Sequence, residues 1–187
     1  MKKILLFVFL FLLAFTAFGQ QEDIIQVSVT VEGTIFSLEL QDSTGAPWSG
    51  FMDFGTVKPG KSSFPDSAIV VASCKSNLAR QWFLQVSATK LREVQSGYII
   101  PEDLFTVYVG DPAEQGQPKL PGTRHATGDL PFSLSSKPIV IYSSDNYGDI
   151  GFAGGWGTYV PVGFGLTVPD TQKQGNYGAS IVFTMTE

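Results

Sequence analysis

The stretch Val160-Pro-Val-Gly-Phe-Gly-Leu-Thr-Val168 places Val160, Val162, Phe164, Leu166 and Val168 on one face. Tyr177-Gly-Ala-Ser-Ile-Val-Phe-Thr-Met185 does the same with Tyr177, Ala179, Ile181, Phe183 and Met185. Alternation with period 2 over this length marks half-buried β-strands, because successive side chains point to opposite faces. The polar, turn-forming connection from Pro169 to Asn176 predicts that the two runs form a strand pair.

Working outward, the same period recurs. Ile25, Val27, Val29 and Val31 alternate with polar residues, and Phe36, Leu38 and Leu40 resume on the other parity after Gly33. Ser67 to Ser73 is a β-branched run expected to be buried on both faces. In Arg80 to Ala88, Trp82, Leu84 and Val86 point inward, with Trp82 the expected central aromatic. Leu104 to Val109 is a further strand, and Leu130 to Leu134 with Pro138 to Tyr142 read as two short strands or one interrupted pair. Phe51 to Gly60 reads as a short strand closed by a Pro-Gly turn, with a backbone passing close to Gly55. Lys90 to Gln95 is polar and could hold a helical turn. Eight to ten short strands between turns, without a sustained helical pattern, predict an all-β fold: an antiparallel, Greek-key β-sandwich.

Residues 1–19 are read apart from this fold. Met1-Lys2-Lys3 precedes the apolar run Ile4 to Leu13, and Ala17-Phe18-Gly19 supplies small residues for cleavage. This is the pattern of a signal peptide, the alternative being a retained N-terminal anchor. The apolar run is short for a span, which needs roughly 20 residues. The expected domains are therefore a signal peptide at 1–19 and a single β-sandwich at 20–187. The mature protein is expected to be exported, to the cell surface, periplasm or extracellular space, with no membrane span after cleavage.

The chain has 12 Lys+Arg against 17 Asp+Glu, a net charge of -5, and cleavage after Gly19 would remove Lys2 and Lys3 but no acid. An acidic chain lacks the basic footprint that phosphate binding needs, which excludes nucleic acid as a partner class. Cys74 is the one cysteine, so no intrachain disulfide can form. It reads as a small buried hydrophobe on a strand rather than as a nucleophile.

Two loop groups are candidate sites. Trp48, Tyr147, Phe152 and Trp156 lie in expected loops, where they could stack on sugars or anchor a partner, or fold back over the open end of a sandwich. Asp145, Asn146 and Asp149 offer oxygen ligands that could hold calcium, although the spacing departs from the usual loop pattern and such residues also favour turns. No other cofactor is implied. Glu93 and the Glu102-Asp103 pair are the nearest approach to paired carboxylates, and they sit beside turns. His125 is the lone histidine, and no Gly-x-Ser-x-Gly elbow, P-loop, zinc or dinucleotide pattern occurs. The expectation is therefore a non-enzyme.

Phe54-Gly-Thr-Val-Lys-Pro-Gly60, Trp82-Phe-Leu84-Gln-Val86, and Val168-Pro169 with Gly175-Asn-Tyr177-Gly-Ala-Ser-Ile-Val-Phe-Thr-Met185 resemble the secreted bacterial β-sandwich surface proteins of the WxL and fimbrial, spore-coat-U-like groups. The resemblance implies an immunoglobulin-like sandwich in the cell envelope that works by attachment or assembly. Two departures stand out. Trp82-Phe83-Leu84 supplies one Trp-x-Leu motif, but Phe183-Thr-Met185 stands where the second would be, and a lone cysteine cannot make the disulfide common in fimbrial proteins. The resulting expectation is a structural or adhesion protein assembling through sheet edges or loops, with itself or other envelope proteins as partners. The alternative is a carbohydrate-binding module that holds glycan on its loop aromatics.

Overall fold

In the computed structural model, residues 35–110, 122–146 and 157–187 are described. The expected first strand, Ile24 to Val31, and the expected leader lie outside them. The described residues form two antiparallel sheets packed face to face plus a small two-stranded sheet, with no α-helix among them. They all belong to one compact unit, Thr34–Glu187.

The first sheet has the order β1-β3-β10-β6-β8. These strands are β1 (Phe36–Gln41), β3 (Ile69–Ser76), β10 (Gly157–Thr167), β6 (Phe105–Val109) and β8 (Phe132–Ser133), and the short β2 (Ser62–Ser63) also pairs with β10. The second sheet has the order β12-β4-β9-β7: β12 (Ile181–Thr186), β4 (Phe83–Ala88), β9 (Ile139–Ser143) and β7 (Thr123–Arg124). A third, small sheet joins β5 (Arg92–Glu93) to β11 (Tyr177–Gly178). The all-β sandwich expected from alternation is therefore present.

The two closing runs do not pair with each other. β10 lies at the heart of the first sheet, between β3 and β6, whereas β12 lies at the edge of the second. Their apolar faces nevertheless meet the same core. Val160, Val162, Phe164, Leu166 and Val168 are all buried, and Ile181, Phe183 and Met185 pack against them half-buried. Alternation fixes which face of a strand looks inward, but not which strand lies beside it.

Pro161 sits inside β10, where a missing N–H would ordinarily interrupt a ladder. Its carbonyl accepts from Gly110 N at 2.8 Å, so its backbone faces the end of β6 and the ladder to β3 is untouched. The partner that Pro161 cannot serve, Gly110 O, accepts instead from Arg124 Nη1 at 3.2 Å. On the outer face of the same strand, Gly163 lies across from Tyr108, whose ring occupies the space a Cβ would need. Such packing of an aromatic over a strand glycine keeps the sheet continuous.

β9 carries a bulge. Leu84 pairs with Tyr142 while Gln85 pairs with Val140, leaving Ile141 as the extra residue. Consecutive Ile141 and Tyr142 are thereby both fully buried. The Tyr142 hydroxyl accepts from Gly122 N at 3.1 Å, and its ring lies 5.4 Å from that of Trp82. Trp82 N donates to Ser144 Oγ at 2.9 Å and Ser144 N donates to Trp82 O at 3.0 Å, which fixes the aromatic at the start of β4. Cys74 is buried on β3, in the place expected of a small hydrophobe.

The 51–58 segment is not a strand. Gly55 has φ +65° with open space where a Cβ would stand, and its N–H donates to Asp53 Oδ1 at 2.7 Å. The glycine therefore serves a turn and not a close backbone approach. The expected Pro59-Gly60 turn is present, with Gly60 at φ +72° and Lys61 N donating to Lys58 O.

Candidate functional site

Of the four aromatics nominated as a platform, Trp48 is described. β1 ends at Gln41, and the turn that follows is held by the Asp42 carboxylate, which accepts from Thr44 N at 2.8 Å, Thr44 Oγ1 at 2.6 Å and Ala46 N at 3.1 Å. These donors, the Thr44 hydroxyl first, hold the Asp42 carboxyl below its ordinary range. The chain then returns alongside β1, and Trp48 N donates to Leu40 O at 2.9 Å. The Trp48 ring packs half-buried against the core, the arrangement of a cover. Tyr147, Phe152 and Trp156 lie outside the described residues.

Asp145, half-buried, and Asn146, exposed, follow β9, while Asp149 lies outside the described residues. Among the described residues no group of three His, Cys, Asp or Glu side chains is placed to hold a metal.

The carboxylates near residue 100 do not converge as a pair. Lys90–Gln95, read as a possible helical turn, instead contains β5 and a tight turn. The buried Glu93 side chain brackets that turn: its carboxylate accepts from Gln95 N at 2.9 Å and from both the N–H and the hydroxyl of Ser96. The Ser96 hydroxyl is the largest of the influences that hold its carboxyl below the ordinary 4.5. A carboxyl lowered in the folded state stabilises the fold above its unfolded value, and that contribution is lost as pH falls through the folded value. We expect Glu93→Gln, which presents an amide to donors, to lower the melting temperature at neutral pH by several degrees. The gap to the parent should close as pH drops below about 4. Thermal melts at several pH values check this, and a gap independent of pH would contradict it. Glu102 lies 3.8 Å from Lys90 Nζ.

His125 Nε2 lies 2.9 Å from Ser143 Oγ, a pairing 18 residues apart that no sequence pattern announced. Ser143 is 5% exposed and sits between β4 and β7. The contact ties the residue that follows β7 to β9.

The sheet edges carry a feature that sequence reading missed. Exposed edges are usually blunted by shortness, charge, proline or a covering loop. β7 and β8 are two residues long, and β1 carries Glu39 and is met by the returning Pro47–Trp48 segment. β12 differs. It runs six residues as Ile-Val-Phe-Thr-Met-Thr, without charge, proline or glycine, and among the described residues it pairs only with β4. Val182 on its outer face is 54% exposed. The composition was visible in the sequence, but edge position depends on a sheet order that only the fold supplies.

No helix among the described residues is long and apolar enough to cross a membrane. No family model matches the chain, and no curated protein matches it.

Proposed function

We propose that this chain is a non-enzymatic, exported structural or adhesion protein of the cell envelope or extracellular space, of the WxL or fimbrial kind, that assembles by adding strands at a sheet edge. The observation that carries the reading is β12, six residues without charge or proline that, among the described residues, pair on one side only. Strand addition uses the backbone groups of such an edge for affinity and alternate side chains for specificity. The partner is another copy of the chain. Its Ile24–Val31 stretch suits the incoming strand, because it alternates and contains neither proline nor lysine. The basic, apolar and small-residue order of residues 1–19 supports export.

Light scattering on the mature protein tests this. The expected mass is a multiple of the single chain, reduced to one chain by Val182→Lys and by deletion of residues 20–31. Val182→Lys places a charge on an exposed edge position, where it opposes pairing without entering the core. A single-chain mass at every concentration would overturn the reading. A mass that changes when calcium is added would bring the Asp145, Asn146 and Asp149 loop in as ligands.

A further inference from the structure

We propose that the turn of the Leu91–Ile100 hairpin enters the headgroup region of a phospholipid bilayer and holds the protein at that surface. This goes beyond strand assembly and does not rest on it.

Seven large hydrophobic side chains are exposed among the described residues, and three of them, Val94, Tyr98 and Ile99, fall within six residues of this one hairpin. Val94, in the turn, is 78% exposed, the most of the seven. Arg92 and Ile99 stand opposite each other across the hairpin and so share a face, while Tyr98, the neighbour of Ile99 along the strand, points to the other. A flat partner surface meets only one face of a hairpin. A medium that surrounds the tip meets both faces and the turn, and the interfacial layer of a bilayer is such a medium. Tyrosine suits that layer, because its ring is apolar and its hydroxyl stays among water and headgroups.

The backbone donors of the turn do not depend on water. An N–H without an acceptor is costly where water is scarce. Here every N–H from Glu93 to Gly97 has an acceptor within the protein. Glu93 N donates to Tyr98 O at 2.7 Å, Val94 N to Asn176 O at 3.0 Å and Gly97 N to Glu93 O at 3.0 Å. Gln95 N and Ser96 N donate to the Glu93 carboxylate, which also accepts from the Ser96 hydroxyl. The Glu93 charge is buried under these donors, and Arg92 is the charge that the tip presents. Its guanidinium lies at the turn, where a Cβ on Gly97 would stand 3.6 Å from Nη1. Among the described residues Arg92 belongs to no ion pair. A guanidinium meets a lipid phosphate with two parallel hydrogen bonds, which gives orientation as well as attraction. The chain as a whole is acidic, but at physiological salt exposed charges are screened beyond about 8 Å, so a headgroup at the tip meets the local cation.

Co-sedimentation of the mature protein with vesicles of phosphatidylcholine and phosphatidylglycerol tests the assignment, with light scattering run alongside in the absence of lipid. The parent is expected to pellet with the vesicles. Val94→Asp is expected to weaken binding about fivefold or more and Arg92→Ala about threefold, while circular dichroism melts of both variants stay close to that of the parent. Leu130→Asp makes the same kind of change at a side chain 72% exposed in the separate Thr127–Leu130 turn, and is expected to leave binding unaltered. No binding by the parent, binding unchanged in Val94→Asp, or an equal loss in Leu130→Asp would each overturn the proposal. So would a lower solution mass of Val94→Asp than of the parent, since the tip would then join copies of the chain.

Discussion

Trp82→Ala is expected to cost about 3–5 kcal/mol of stability, the range for removing a buried aromatic and leaving a cavity. Trp82 is 1% exposed, its ring lies 5.4 Å from Tyr142, and its backbone exchanges two hydrogen bonds with the Ser144 segment. Those bonds hold the backbone in place after truncation, so the site collapses poorly and the cavity term stays large. Domains of this size are stable by roughly 5–15 kcal/mol, so the variant should be folded only marginally. Trp48→Ala provides the contrast. Its ring is half-buried on the rim of the core, and the expected loss is about 1–2 kcal/mol. Urea unfolding followed by circular dichroism measures both. Equal losses would mean that Trp48 carries as much of the core as Trp82 does.

The difference between these tryptophans shows what was legible in the sequence. Trp82 was placed inward by its alternation with Leu84 and Val86, a local pattern that survives folding unchanged. Trp48 stands in a loop, where no period constrains it. Its position comes from the Asp42 turn and the return of the chain along β1. Pairing was less legible still. Pro169 to Asn176 reads as a hairpin connection, yet it carries the chain from the first sheet towards β11 and then to the second. Nothing in a period-2 pattern separates a hairpin from such a crossing, since both leave the inward faces the same. The bulge at Ile141 is equally silent, because an extra residue in an apolar run breaks no visible alternation.

The candidate sites divide in the same way. β12 was recognisable as a strand, but that it pairs on one side only among the described residues emerges only from the sheet order. Lys90, Arg92 and Gly178 are ordinary turn and strand-end residues in the sequence. They come together because β5 pairs with β11, a strand far along the chain. The stretch around Glu93, Lys90 to Gln95, reads as a possible helical turn because it is polar. The Glu93 carboxylate is instead the acceptor that closes a tight turn. A local reading sees a residue's type, whereas its partner is set by the tertiary contacts that bring distant strands together.

Phe164→Ala should produce a loss of the same order as Trp82→Ala, about 3–5 kcal/mol, but through a different route. Four rings run in sequence through the core: Phe54 to Phe105 at 6.0 Å, Phe105 to Phe164 at 6.3 Å, and Phe164 to Phe183 at 6.1 Å. Phe54 belongs to the 51–58 loop, Phe105 and Phe164 to the first sheet, and Phe183 to the edge strand of the second. Phe164 is therefore the ring through which β12 is fastened to the opposite sheet. The Phe164–Phe183 pair is edge-to-face, with planes at 85°, an arrangement worth about 0.5–1.5 kcal/mol beyond the area buried. A double-mutant cycle with Phe164→Ala and Phe183→Ala should recover a coupling of that size. Phe54→Ala with Phe183→Ala should be additive, because two intervening rings separate them. If assembly adds a strand at β12, Phe164→Ala should also weaken assembly, since a loosened edge strand is a poorer template for its partner. A coupling near zero would mean that the two sheets are held together by aliphatic burial alone and that β12 is seated independently of the ring chain.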